Sequence, residues 1–210
     1  MVLHGFLGGT RAEELAAAFP DAAGMRAGTT YETEHEHAKI GLGDRRHFPP
    51  AFATLATELQ SIDFLNWLSI ATGIPGLVAD PLLIGGGLHR MAGDGKLGLH
   101  VDFNELHIRG ERYYRRLNLL LFLNPEWREE WGGALELWQK DLRYELPIKI
   151  APLLDTCAIF ETSHDSWHGV GSLTAPVARQ SFAQYLYTIE PPPNYQGLIP
   201  STIFRARPMR

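Results

Sequence analysis

The run Leu97-Gly98-Leu99-His100-Val101-Asp102 sets an imidazole and a carboxylate two residues apart. In a strand, residues i and i+2 point to one face, so His100 and Asp102 present their side chains together. A second histidine, His168, stands in Ser166-Trp167-His168-Gly169-Val170. Two histidines and one carboxylate on one face of a metal form a non-haem Fe(II) ligand set, because three protein ligands leave three coordination positions open. Two of these can chelate a 2-oxo acid, and one can take dioxygen. The far carboxylate of such a cosubstrate needs a cation. Arg179 begins Arg179-Gln180-Ser181-Phe182-Ala183, and Ser181 shares its face. A guanidinium beside a hydroxyl suits bidentate carboxylate recognition better than a lysine does.

These groups need strands to carry them. After Asp80, short apolar runs alternate with Gly, Pro and charged turns. This pattern predicts strands near 82–84, 86–92, 97–102, 116–123, 135–138, 148–150, 156–160, 167–170 and 179–189. Gly93-Asp94-Gly95 and Gly132-Gly133 read as turns between neighbours. Residues 1–80 read as mainly helical. Thr10 and Glu13 suggest a capping box for a first helix, Pro49-Pro50 a start for a second over about 51–60, and Gly73 a stop for a third over 63–72, with Phe64, Leu65, Leu68 and Ile70 as its apolar residues. Residues 191–210 are Pro-rich and predict an irregular surface strap. The whole reads as one domain, mostly β with N-terminal helices (α+β). Many short strands in one unit point to a sandwich, barrel or jelly roll.

Composition narrows the function. At 210 residues, 45% hydrophobic and 20% charged, the chain is long enough for one packed core and is not compositionally disordered. A net charge of −5 gives no footing for nucleic acid or an anionic membrane surface. One cysteine, Cys157, excludes a disulfide framework and any multi-cysteine metal site. The start, MVLHGFLGGTRAEEL, lacks the pattern of a secretory leader, and a cytoplasmic protein is expected. Either a monomer or a homodimer fits.

In order and spacing, these residues resemble the Fe(II)/2-oxoglutarate-dependent dioxygenases, in their prolyl 4-hydroxylase-like branch. The resemblance rests on His100-Val101-Asp102, on Arg116-Leu117-Asn118 through Asn124-Pro125-Glu126-Trp127, on Trp131-Gly132-Gly133-Ala134 through Trp138, and on His168 and Arg179-Gln180-Ser181. It implies a double-stranded β-helix (a cupin-like jelly roll) with Fe(II) held by His100, Asp102 and His168. It also implies 2-oxoglutarate anchored by Arg179, O2 as second cosubstrate, and ascorbate as an available reductant. Hydroxylation of an unactivated C–H bond would release succinate and CO2. His164, four residues before His168, competes for the third ligand position, and the family spacing to Arg179 favours His168. The branch often sets a tyrosine against the cosubstrate carboxylate where this chain has Phe122. A second partner must then come from Ser181, His89 or Arg90. An acidic ligand at Asp102 argues against the related halogenases.

Two groups are read more loosely. His107 and Arg116 are candidates to touch substrate, although Arg109, Arg112, Arg115 and Arg116 together read more simply as a solvated basic loop. Residues 32–46, with His35 and His37, read as a polar surface segment that could close over the site. A small molecule such as an amino acid or a biosynthetic intermediate is the expected substrate. A peptidyl proline is the alternative, and a non-catalytic cupin-like metal or carboxylate binder is the alternative of another class.

Overall fold

The computed structural model describes residues 1–138 and 146–207. The last three residues of the expected strap lie outside them. In chain order the elements are β1 (Val2–His4), α1 (Gly9–Ala17), β2 (Thr29–Tyr31), β3 (Glu36–Leu42), α2 (Pro50–Leu59), α3 (Ile62–Thr72), β4 (Val78–Ala79), β5 (Gly87–Val101), β6 (Glu105–Ile108), β7 (Glu111–Phe122), β8 (Leu135–Leu137), β9 (Ile148–Ile150), β10 (Thr156–Glu161), β11 (His168–Val170), β12 (Ala178–Thr188) and β13 (Ile203–Arg205). The strands form one curled antiparallel sheet in the order β1-β10-β7-β12-β5-β11-β8-β9. β3 and β13 also bond to β5, β2 to β3, β4 to β12 and β6 to β7. Among the described residues no helix is long and apolar enough to cross a membrane.

The continuous apolar run of β7 reflects burial on both faces. Leu117, Leu119 and Leu121 join Phe52, Leu55, Leu59, Leu65 and Leu68 of α2 and α3 in one buried cluster, together with Cys157, Ile159 and Phe182. The alternate residues Leu120 and Phe122 pack with Leu135, Ala158 and Phe160 inside the curl. Burial also pushes the Cys157 thiol up to about 12, so it is a packed apolar group.

Several expectations change. Residues 1–80 hold four strands besides three helices, and β2 and β3 extend the sheet beyond β5. α1 is preceded by Gly8 with no side-chain cap, so Thr10 and Glu13 form no capping box. α2 and α3 lie where expected, with Ser61 accepting from the Phe64 N–H and Gly73 left-handed at the end. Ile70, read as one of the apolar residues of α3, is 85% exposed. Residues 82–84 form a turn, and the two strands expected over 86–102 are one, β5. Gly93, at φ +63, bends that strand without ending it. A hairpin, β6–β7, occupies the expected basic loop. Its two-residue turn, Arg109-Gly110, takes φ +52 and +86, the geometry usually signalled by Asn-Gly. The strap is only partly irregular, since β13 pairs with Leu99, His100 and Val101 of β5.

Gly87 opens β5 at φ +93, and a Cβ there would lie 2.2 Å from the Leu42 carbonyl oxygen of β3. Gly93 is also left-handed but has open space around it. Gly87→Ala should therefore destabilise the protein by at least about 1 kcal/mol more than Gly93→Ala. Urea denaturation of the two variants checks this; equal losses would mean that the β3–β5 approach is not tight.

Candidate active site

His100 lies near the end of β5, Asp102 just after it, and His168 at the start of β11. His100 and His168 are direct cross-strand partners, which brings their ring centroids to 4.2 Å. The Nδ1 of His100 lies 2.8 Å from the Gly98 carbonyl oxygen, and the Nδ1 of His168 lies 2.8 Å from that of Ser166. A carbonyl can only accept, so both Nδ1 atoms carry a proton, and in the neutral ring the lone pair is then on Nε2. The Nε2 atoms lie 3.6 and 3.5 Å from the Asp102 carboxylate oxygens. Burial, then His100, lowers the pKa of His168 to about 4 and keeps it neutral.

Asp102 is held from the other side by Arg115, whose Nη1 lies 3.1 Å from Oδ2. That guanidinium is wholly buried, and its central carbon lies 3.7 Å from the ring centroids of both Phe103 and Tyr185. Burial acts to raise the Asp102 pKa. Arg115, with His100 and His168, outweighs it and holds the carboxyl well below the ordinary range. Oδ2 is buried and accepts no hydrogen bond. Two imidazole lone pairs and a permanently ionised carboxylate, with ligand atoms within 4.8 Å of one another, fit a divalent metal.

A cavity of about 210 Å³ opens in front of the three groups. Its wall includes Arg179 and Ser181 of β12. Arg179 is buried, and its Nε donates to the Gly133 carbonyl at 2.8 Å. One terminal nitrogen, Nη2, is buried without a partner, as is the Ser181 hydroxyl. Burial lowers the Arg179 pKa to about 10, which leaves it charged at neutral pH. Phe122 lies 5.0 Å from that guanidinium and presents a ring face where a hydroxyl was absent from the sequence. His89, the cross-strand partner of Ser181, shares this wall. Its pKa falls to about 3, through burial first and then Lys39 and Arg179, so it is neutral. Two unpaired buried donors and a neutral imidazole suit a carboxylate. Arg90 borders the cavity, but alternation along β5 puts it on the opposite face from His89 and Met91.

His107 and Arg116 are not brought to this place. His107 is exposed on β6 and lies 3.1 Å from Glu105. Arg116 pairs with Glu161 at 3.4 Å. Neither lines the cavity. His164 lies apart as well, with its ring 6.2 Å from that of Tyr195. The residue missed by sequence reasoning is Arg115. Strict alternation from Asn118 assigns Arg116 to the cavity side. The β7–β12 register slips, however, pairing Leu186 with Leu117 and Tyr187 with Arg115, and Arg115 is the arginine that reaches Asp102. Tyr185, on the face of Arg179 and Ser181, was readable by counting in twos. The segment over 32–46 is mostly β3, hydrogen-bonded into the sheet, and it contributes Glu36 and Lys39 to the cavity wall. From the strap come Thr202 and Phe204.

Arg115→Met should leave Asp102 a buried carboxylate without its partner, costing about 3–5 kcal/mol in the metal-free protein. Adding Asp102→Asn should recover much of that loss. Denaturant titration of the two singles and the double checks the coupling, and additive losses would disprove it.

Residues 86–187 match the family model of the 2OG-Fe(II) oxygenase superfamily. No curated protein matches the chain in sequence. Among solved structures it is similar to the prolyl hydroxylase of Trichoplax adhaerens in complex with a hypoxia inducible factor oxygen degradation domain peptide fragment. There the TM-score is 0.64 at 17% identity, covering 89% of this chain and 82% of that one. HygX from Streptomyces hygroscopicus, with nickel, 2-oxoglutarate and hygromycin B bound, has a TM-score of 0.58 at 14% identity, covering 90% and 82%. A Pseudomonas putida prolyl-4-hydroxylase has 0.57 at 15%, covering 90% and 91%. With the jelly roll of these proteins and the His-Asp-His triad in place, residues 86–187 are a 2OG-Fe(II) oxygenase superfamily domain, and the protein is a dioxygenase of the Fe(II)- and 2-oxoglutarate-using kind.

Proposed function

We propose that His100, Asp102 and His168 hold the Fe(II), that Arg179 and Ser181 bind the distal carboxylate of 2-oxoglutarate, and that the enzyme hydroxylates an unactivated C–H bond of a small molecule. The observation that carries this reading is a single cavity walled at one end by the triad and at the other by unpaired Arg179 and Ser181 donors. When bound, Fe(II) with 2-oxoglutarate and O2 supplies oxidative decarboxylation to succinate and CO2 together with hydroxylation. The chain's own residues do the rest. The two Nδ1 hydrogen bonds aim the imidazoles, Arg115 keeps Asp102 ionised, and Arg179 fixes the cosubstrate's far end. The apolar rings of Phe122 and Phe204 exclude water. The helices, barrel and strap (1–80, 81–190 and 191–210) act as one oxygenase domain.

Cavity size favours a small molecule such as an amino acid or biosynthetic intermediate. Its 210 Å³ falls below the roughly 300–1,000 Å³ of clefts that hold drug-sized ligands. A peptidyl-prolyl substrate is the second reading, supported by the likeness to prolyl hydroxylases, one of them solved with a peptide.

Purified protein should form succinate only with Fe(II) and 2-oxoglutarate present, and a chelator should stop it. Asp102→Ala and His168→Ala should each abolish turnover; full activity in either would sink the ligand assignment. Arg179→Met should weaken 2-oxoglutarate by roughly 30-fold or more, as for a broken buried charge pair. Cosubstrate titrations of succinate formation check it.

A further inference from the structure

Apart from Arg90, which borders the cavity from the opposite face of β5, two charged groups in the cavity wall have no part in holding metal or cosubstrate: Glu36 and Lys39 of β3. Three residues apart, they would lie on opposite faces of a regular strand. The β3–β5 register slips between His37 and Lys39. At the slip, Ala38 takes φ +48, a left-handed conformation that strains a residue with a Cβ. The Ala38 N–H donates to the Glu32 carboxylate at 3.0 Å. This irregularity turns both charges to the cavity side. Lys39 Nζ then lies 2.7 Å from Glu36 Oε1 and 4.4 Å from the centre of the Tyr31 ring.

The pair is poorly explained by stability. The side chains are only 13% and 15% exposed, and desolvation offsets much of the attraction in an ion pair this enclosed. Bulges beside active sites re-aim side chains, and this one aims two opposite charges at the cavity. Lys39, Met91 and Arg179 are consecutive cross-strand partners on β3, β5 and β12. Glu36 pairs instead with Leu97, three residues before the His100 ligand. The pair thus spans the wall between the cosubstrate end and the metal end. That the Lys39 field reaches the interior is visible in its lowering of the His89 pKa.

The two carboxylates of 2-oxoglutarate are accounted for by the metal and by Arg179 with Ser181. What is left facing the cavity is one positive and one negative group, with Arg90 on the far face of β5, in a cavity too small for a bulky ligand. Resting on the oxygenase reading above, we infer that Glu36 and Lys39 determine specificity by binding the ammonium and carboxylate groups of a free amino acid. Before substrate enters, the two groups satisfy each other. A zwitterion replaces that one ion pair with two, whereas a chain-internal peptide residue offers neither charge.

The test uses the full chain with Fe(II), 2-oxoglutarate, O2 and ascorbate. Free amino acids, their N-acetyl and amide derivatives, and proline-containing peptides are compared for hydroxylated product. A free amino acid should be turned over, and blocking either end should lower kcat/KM by roughly 10–100-fold. In Glu36→Gln the cost of N-acetylation should largely vanish, and in Lys39→Met the cost of amidation should. Glu36→Asp and Lys39→Arg should restore part of each effect. Calorimetry on the nickel-loaded protein, which does not turn over, should show weaker binding of the free amino acid and unchanged 2-oxoglutarate binding. Lys149→Met, an exposed change on β9, is the control. Hydroxylation of peptides with no response to free amino acids would overturn the inference, as would a 2-oxoglutarate affinity that falls in Lys39→Met. Wild-type protein that binds iron but neither binds nor consumes 2-oxoglutarate would overturn the oxygenase reading itself, and this inference with it.

Discussion

Strand β5 is hydrogen-bonded as two strands in one. Its first half, through Ala92, lies between β12 and β3; its second half lies between β11 on one side and, on the other, β3 at Lys96 and Leu97 followed by β13 from Leu99. At the left-handed Gly93 one backbone passes from the Arg179 and Ser181 end of the cavity to the end that holds His100, Asp102 and His168. His89 and Met91 therefore face Ser181 and Arg179, while His100 faces His168. The distance between the two ends is set by a continuous chain and not by how two loops happen to settle. A one-residue slip in any of these pairings would send the site residues to the helix-facing side, where Leu88 and Phe182 now pack.

The same arrangement explains how so many ionisable groups survive burial. Asp102 meets Arg115, and Arg115 in turn lies between two aromatic rings that satisfy it without adding charge. Arg179 is partly tied to a backbone carbonyl and keeps one nitrogen free. His89 and His168 yield to burial by staying neutral. Three solutions thus coexist within a few strands: pairing, partial satisfaction and neutralisation. Among the groups left with an unsatisfied atom, Asp102, Arg179 and Ser181 face the cavity.

Much of this was legible in the sequence. His100, Asp102, Arg179 and Ser181 were singled out because strand periodicity and residue chemistry agree at those positions, and His168 was preferred to His164 on the spacing of the family the chain resembles; all five line one cavity. The helices α2 and α3 announced themselves through proline, serine and glycine at their ends. What could not be read depended on departures from periodicity. The slip in β7 moves the important arginine from 116 to 115. The left-handed Ala38 brings Glu36 and Lys39 to one face. The Arg-Gly turn hides the β6–β7 hairpin because its first residue is not one that favours φ > 0. The slips in β7 and β3 are fixed by pairing with strands remote in the chain, β12 and β5, and local pattern carries no trace of them.

The double duty of β5 also shapes how the protein folds. Its partners include one strand made before it, β3, and three made well after it, β11, β12 and β13. None of these contacts is local, so β5 must wait with open edges until most of the chain has been ordered around it. Sheets dominated by such distant pairings fold slowly, because loop closure opposes each contact before the contact stabilises anything. An unpaired β5, with its apolar Leu88, Met91, Leu97 and Leu99, is open to association during that interval. The strand that carries His100 in the finished protein thus needs protection while the protein is being made.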